Sequence, residues 1–464
     1  MSGIFGVVGK DDCRQDLFYG TDYHSHLGTQ FAGLAVWKDE LVRKIHDISG
    51  TQFKAKFYDE YKFMAGDKGI GVISAKDEQP VYVKSRFGPF AIVTNGYIEN
   101  TDELVDFLYK EGQSFSEVAD GSVNMSELAA KLIIRGKDIP DGIKKMFAQI
   151  QGSCSLLILT EKGIYAAPDR YGYFPLILGK KDGDWAVTSE TSAFHNLGYK
   201  VNKYLAPGEV VFIDRSGFKV IEKGNAKSQT CSFLWIYTGF PASSYEGINT
   251  EVVRENSGRA LAKRDNVNAD MVCGIPDSGI AHAIGYAMES GLPYRRALVK
   301  YTPGYGRSYT PPSQETRDLV AKMKLIPIED IVKGKRVVIC DDSIVRGTQF
   351  KNYTIKKLKD CGVKEIHLRI ACPPLMLPCK FNFSTRSSHE LAARKAIKAL
   401  EGKDISDVSE YIDENSSKHK KMVEWIRKDL DVDSLTYQKL SDMIQAIGLS
   451  KEKLCQYCWT GKQP

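Results

Sequence analysis

The sequence predicts two globular domains of different class, an α+β domain followed by an α/β domain, with a helical extension at the C-terminal end. Three observations predict it. Residues 1–228 alternate short β-branched strands, such as 90–94 and 155–160, with helical stretches such as 103–110 and 127–134. Residues 229–386 alternate helix and strand in the manner of a parallel sheet, with polar loops at the ends of apolar runs, where open α/β sheets place their ligands. Residues 387–464 are rich in charges and helix formers, and a polar run over 223–230 serves as the linker between the first two regions.

Composition agrees with two ordinary cores. The chain has 464 residues, of which 42% are hydrophobic and 26% charged, enough for two independent domains. Its formal net charge of +6 is small for that length and dispersed, which argues against nucleic acid as a partner. No apolar run reaches the ~18 residues of a membrane span, and Met1-Ser2-Gly3-Ile4-Phe5-Gly6 lacks the basic segment of a signal peptide. A soluble, cytoplasmic protein without a membrane partner is expected.

The segment Val337-Val338-Ile339-Cys340-Asp341-Asp342-Ser343-Ile344-Val345-Arg346-Gly347-Thr348 carries the most chemistry. It reads as an apolar strand that ends in two acids and a hydroxyl-rich glycine loop. Adjacent carboxylates at a strand end suit a ribose diol and its Mg²⁺, while the hydroxyls and amides of Ser343 to Thr348 can wrap a 5′-phosphate. A strand followed by an acidic helix cap is the plainer alternative, but it does not account for the order and spacing of all three features.

This segment resembles the phosphoribosyl pyrophosphate (PRPP) loop of type I phosphoribosyltransferases, and the chain around it is similar to the glutamine PRPP amidotransferase family. Cys273-Gly274-Ile275-Pro276-Asp277-Ser278-Gly279 is similar to that family's pyrophosphate loop, which implies roles for Pro276, Asp277, Ser278 and Gly279 at the leaving group. An aspartate in such a turn is otherwise simply a turn former. The resemblance places Asp341 and Asp342 on the ribose hydroxyls, Ser343, Ile344, Val345, Arg346, Gly347 and Thr348 on the 5′-phosphate, and Mg²⁺ on Ser278, Asp341 and Asp342. Between the loops, Val299-Lys300-Tyr301 through Tyr305-Gly306-Arg307-Ser308-Tyr309, then Gln314, Arg317 and Lys322-Met323-Lys324-Leu325, follow the family's mobile flap. Its cations, Lys300, Arg307, Lys322 and Lys324, would stabilise charge that accumulates on departing pyrophosphate. Lys322 stands where the family has arginine, keeping the charge but losing the bidentate fork.

Ten cysteines without an export signal point to thiols or metal ligands rather than a disulfide framework. The C-x-x-C pair Cys455 and Cys458 fits zinc or redox chemistry equally. Cys231 and Cys379 match cluster-ligand positions in the iron-sulfur branch of the family, so the resemblance implies a structural 4Fe–4S cluster on Cys231, Cys379, Cys455 and Cys458, with zinc as the alternative. Cys273, Cys340 and Cys372 lie in apolar surroundings and read as buried small residues.

The N-terminal half looks like a class II glutamine amidotransferase domain, an αββα sandwich of the N-terminal-nucleophile type, with departures at its site. Ser2 stands at the position of the cysteine nucleophile, and a hydroxyl is a weaker nucleophile than a thiol near neutral pH. Ser74 replaces the arginine that would clamp the α-carboxylate of glutamine, and Met125 replaces the aspartate that would receive its α-amine. Those two losses remove charge-assisted hydrogen bonds worth about 1.5 to 3 kcal/mol each. Asn95-Gly96 keeps the oxyanion-hole dipeptide, although Asn-Gly is also the commonest hairpin turn. The framework at Pro168-Asp169-Arg170-Tyr171-Gly172, Ser189-Glu190-Thr191 and Ala206-Pro207-Gly208-Glu209 tracks the family. His24 and His26 read as structural polar residues, with a functional role for either as the alternative, and Cys13 is a candidate replacement thiol.

The expected activity is therefore formation of 5-phosphoribosylamine and pyrophosphate from PRPP, with ammonia, free or from a partner, as nitrogen donor in purine synthesis. Two other readings remain open at this point: a complete glutamine-dependent amidotransferase using Ser2 or Cys13, and a non-catalytic paralogue that senses PRPP or nucleotides. The family further implies a homo-oligomer, dimer or tetramer, with purine nucleotides as effectors and an ammonia-supplying or paralogous protein as a further partner.

Overall fold

The structure is a computed structural model that describes residues 1–119, 121–225, 227–301, 323, 325–348, 350–384 and 387–463. It divides into two compact units. The first comprises Met1–Cys231 with the short segments Ser243–Glu246 and Lys380–Ser384, and the second holds Ser232–Ala242, Gly247–Cys379 and Thr385–Pro464. The cut thus falls three residues beyond the expected end of the first region at 228, and two short segments from the second half of the chain pack with the first.

In the first unit a seven-stranded antiparallel sheet runs Lys200–Tyr204, Ile177–Lys181, Asp184–Thr188, Gly3–Val8, Lys68–Ser74, Phe31–Trp37, Leu41–Asp47. A six-stranded antiparallel sheet runs Gly217–Glu222, Val210–Asp214, Gly163–Ala167, Gly152–Thr160, Gly88–Ile98, Val81–Ser85. Their facing sides share one core, in which Ile4, Ile70 and Val72 of the first sheet meet Val93, Leu157 and Val211 of the second. Helix Arg14–Asp22 covers the outer face of the first sheet through Leu17 and Phe18 against Phe5 and Val7. Helices Thr101–Lys110, Met125–Ile133 and Ile139–Gln149 cover the outer face of the second. This is the expected αββα arrangement, and it explains why the central strand Gly3–Val8 is apolar throughout: both of its faces are covered.

In the second unit, four parallel strands run Met271–Gly274, Arg336–Asp341, Glu365–Ile370, Ser434–Tyr437. Helices Thr250–Lys263 and Gly279–Ser290 pack on it, with Leu261, Ala283 and Tyr286 against Val272 and Val338. The region expected to be a helical extension contributes helices Ala392–Glu401, Ser417–Leu430 and Leu440–Ile447, and also the edge strand of the sheet, paired from His367↔Ser434 to Ile370↔Tyr437. Among the described residues no helix is long and apolar enough to cross a membrane.

Candidate active site

The strand Arg336–Asp341 delivers two carboxylates to the end of the parallel sheet, where Asp341 is 7% and Asp342 4% exposed. Asp342 is held in place by hydroxyls: Ser278 Oγ donates to its Oδ1 at 2.6 Å and Ser343 Oγ to its Oδ2 at 2.5 Å. Burial pushes the Asp342 carboxyl above its usual range, and those hydroxyls pull in the opposite direction. The Ser278 contact joins loops 64 residues apart in sequence. Backbone geometry enforces the approach, since Ile275 N–H donates to Cys340 O at 2.9 Å. A Cβ on Gly279 would stand 2.4 Å from that same carbonyl oxygen, so only glycine fits there.

The Pro276–Asp277 peptide is cis, and Asp277 is exposed. Its carboxylate is an ion-pair partner rather than only a turn former, with Lys300 Nζ 2.7 Å from Oδ2. Lys300 ends the strand Leu298–Lys300, which pairs antiparallel with Leu325–Pro327 at the base of the expected flap. Arg307, Lys322 and Lys324, with the rest of residues 302–322, lie outside the described residues.

Beyond Ser343 the chain turns through Ile344, which is buried, and Val345 and Arg346, both half-buried. Gly347 has φ +77°, a left-handed conformation that favours glycine at this turn, and Thr348 is exposed. Arg346 pairs with Glu390, and Lys395 Nζ donates to Arg346 O. Neither partner was marked by the sequence, because both lie more than forty residues downstream. Arg254 was missed for the same reason: it is buried, donates to the carbonyls of Trp235, Tyr237 and Gly239, and its charge lies close enough to stabilise ionised Asp342.

In the first unit Ser2 is buried at the head of the central strand. Its N–H donates to Asn95 Oδ1 at 3.0 Å, and its Oγ accepts from Ala75 N–H at 3.3 Å. Asn95 and Gly96 lie inside the strand Gly88–Ile98, opposite Ser155 and Cys154, so the dipeptide is not a hairpin turn. Ser74 is buried at the end of its strand, accepting from Lys76 N–H at 3.4 Å. Met125 begins the helix capped by Asn124, and its N–H donates to Asp77 Oδ2 at 3.1 Å. Asp77 is an acid that sequence reasoning did not mark; burial pushes it up, against the pull of the Met125 N–H and Lys76.

Cys13 does not stand in for a nucleophile. It lies beyond the far end of Gly3–Val8 from Ser2, buried in the core with Val7, Leu17 and Phe18, and burial pushes its thiol well above the ordinary range. The reading of His24 as structural agrees with its contacts. It is fully buried, its Nδ1 donates to Gly20 O at 2.8 Å, and its Nε2 lies 3.0 Å from Thr188 Oγ1. His26 Nε2 lies 2.9 Å from Glu190 Oε2. Burial pushes the Glu190 carboxyl up, but His26 and the Tyr245 hydroxyl outweigh it and hold it below its ordinary value.

Cys273, Cys340 and Cys372 are buried as expected. In the second unit, Met376 and Leu377 N–H both donate to Cys458 O, which ties the segment leading to Cys379 onto the turn carrying Cys455 and Cys458. Ser232, the residue after Cys231, donates from Oγ to Cys455 O at 2.9 Å. Among the described residues no group of three or more His, Cys, Asp or Glu side chains is gathered as a metal site.

Comparison with known proteins covers the whole chain. The sequence matches the family described as glutamine amidotransferase domain over residues 69–196. It is 31% identical to an amidophosphoribosyltransferase of Methanocaldococcus jannaschii, over 100% of this chain and 98% of the relative, and 31% identical to that of Bacillus subtilis, over 100% and 94%. Among solved structures it is similar to the B. subtilis glutamine PRPP amidotransferase complexed with ADP and GMP, with TM-score 0.84, 31% identity and coverage of 100% and 97%. A structure described as the allosteric regulatory enzyme of purine biosynthesis matches with TM-score 0.84, 30% identity and coverage of 100% and 96%.

Proposed function

The chain belongs to the amidophosphoribosyltransferase family, and from that premise we propose that its second unit forms 5-phosphoribosylamine from PRPP and ammonia, while its first unit is a degenerate glutaminase. One observation carries the transferase half: the hydrogen bond from Ser278 Oγ to Asp342 Oδ1, which joins the two loops at the end of one parallel sheet. In the reaction the C1–N bond forms as the C1–O bond to pyrophosphate breaks. The electron pair leaves with pyrophosphate, and the new amine sheds a proton to solvent. Asp341 and Asp342 would hold the ribose hydroxyls as positive charge develops at C1, Ser343 to Thr348 the 5′-phosphate, and Asp277 with Ser278 the side where pyrophosphate departs. Lys300, beside Asp277, brings a cation to that side.

The oxygen-only donor set of Asp341, Asp342 and Ser278 fits Mg²⁺, and the raised carboxyl of Asp342 is what an added cation would relieve. When bound, Mg²⁺ would neutralise charge on the pyrophosphate oxygens. Pyrophosphate release from PRPP with ammonium tests the assignment: wild type should turn over, and Asp342→Asn should lose roughly a hundredfold or more. Tight PRPP binding without release by any amine would instead make the chain a sensor.

The loss of the amino-acid clamp supports the second half. Ser74 and Met125 offer no charged group where glutamine's carboxylate and amine would be held, and Ser2 offers a hydroxyl for a thiol. Cys231, Cys379, Cys455 and Cys458 are proposed as thiolate ligands of a 4Fe–4S cluster, zinc being the alternative for the same donors. The all-thiol composition supports that reading, together with the backbone bonds that join the segments of Cys379, Cys455 and Cys458. Protein purified without oxygen should be coloured and contain iron; a colourless protein with stoichiometric zinc would overturn the cluster. Purine nucleotides as effectors are proposed on the likeness to the ADP- and GMP-bound relative, to be read as inhibition of the ammonium assay, and a homo-oligomeric state is proposed on the family resemblance, to be read from light scattering.

A further inference from the structure

The loop assigned to the 5′-phosphate is gripped by the C-terminal region. Ala392 N–H donates to Val345 O at 2.8 Å, and Lys395 Nζ donates to Arg346 O at 3.2 Å. Gly347 lies against Ala392 and Leu430, and Lys351 Nζ reaches Asp429 Oδ1 at 3.1 Å. Within this grip one contact is electrostatic and involves a group the phosphate would use. Arg346 Nη2 lies 2.8 Å from Glu390 Oε2, while Arg346 Nε is buried with no hydrogen-bond partner. The guanidinium therefore spends one edge on a carboxylate and keeps an unsatisfied donor, and a buried donor without a partner is costly.

We propose that Glu390 is a latch on the sugar-phosphate loop, its carboxylate competing with the 5′-phosphate for Arg346 and so lowering the affinity for PRPP. The inference rests on the reading of Val345 to Thr348 as the 5′-phosphate loop. Carboxylate and phosphate present the same paired oxygens to the same fork of N–H donors, so one displaces the other or shares the cation at reduced strength. Both side chains are more than a third exposed, so the pair is weak enough to exchange with an incoming anion. Glu390 ends the single turn Ser388–Glu390 just before helix Ala392–Glu401, so displacement of that turn would release Arg346 and raise affinity without any change in the reacting groups. Glu390 is thus a positioning residue, acting on substrate only through Arg346. A solvated ion pair with no bearing on substrate is the competing account, and it predicts no kinetic effect.

Steady-state KM for PRPP, with ammonium as donor and Mg²⁺ in excess, separates them. Glu390→Gln keeps the shape and removes the charge; it should lower KM for PRPP roughly two- to fivefold, the range expected for an exposed ion pair, with kcat little changed. Arg346→Ala should raise KM, and the double variant should match Arg346→Ala alone, because the latch has nothing left to hold. Calorimetric binding of ribose 5-phosphate gives a second readout, tighter in Glu390→Gln. An unchanged or higher KM in Glu390→Gln, while Arg346→Ala raises it, overturns the latch and leaves the loop assignment standing. An unchanged KM in Arg346→Ala overturns the loop assignment and the latch with it.

Discussion

Asp342 shows how much of the site one side chain can organise. Its two oxygens collect hydroxyls from Ser278 and Ser343, and its backbone N–H donates to Asp341 Oδ1 at 2.9 Å, so the acid pair is fixed before any ligand is added. That pair was legible in the sequence, because an apolar run ending in two acids and a glycine loop leaves few other structures. Glu390, Arg254 and Asp77 were not legible, because each acts on a residue far away in sequence and no local pattern marks the contact. His24 makes a prediction at the same scale. Burial lowers its pKa from 6.5 to about 4, so the folded protein refuses a proton that the unfolded chain accepts. The sign follows: this stabilisation is complete above pH 6.5 and is lost as pH falls through about 4, by up to about 3 kcal/mol. The first melting transition of the full chain should fall steeply over that window, and in His24→Gln the fall should be shallower. An equally steep fall in His24→Gln would show that other groups set the acid limit.

Elements carry their residues into place by covering both faces of what would otherwise be half-exposed sheets. The strand Gly3–Val8 holds Ser2 at its head because Ile4 and Val8 point into the intersheet core while Phe5 and Val7 meet helix Arg14–Asp22. Its lack of alternation goes with burial on both faces. The role of Asn95-Gly96 was not readable, since the dipeptide favours hairpins and only its pairing within an eleven-residue strand shows otherwise. The strand Ser434–Tyr437 escaped notice because four residues are too short to show a period among strongly helical neighbours. Its parallel pairing with Glu365–Ile370 makes the C-terminal region part of the sheet rather than an appendage. The same region supplies the contacts that grip Val345 and Arg346.

At the scale of the whole molecule, the two halves have kept different things. The transferase half has acids and hydroxyls at the end of a parallel sheet, with Lys300 paired to Asp277, whereas the amidotransferase half keeps its αββα framework and the Asn95 contact to Ser2, and the proposed loss of its amino-acid clamp rests on Ser74 and Met125. On the proposed reading, losing two charge-assisted hydrogen bonds of about 1.5 to 3 kcal/mol each would lower glutamine affinity roughly a hundredfold or more, before a serine nucleophile is considered. The fold class was legible because the alternation of strands and helices fitted what the family resemblance implied. The proposed preference for ammonia rests on the substitutions at Ser2, Ser74 and Met125, and its test is functional. The most direct measurement is the rate of PRPP-dependent pyrophosphate release with ammonium against that with glutamine, at matched concentration and fixed Mg²⁺. The account predicts turnover with ammonium and at most a hundredth of it with glutamine; equal rates with the two donors would contradict it.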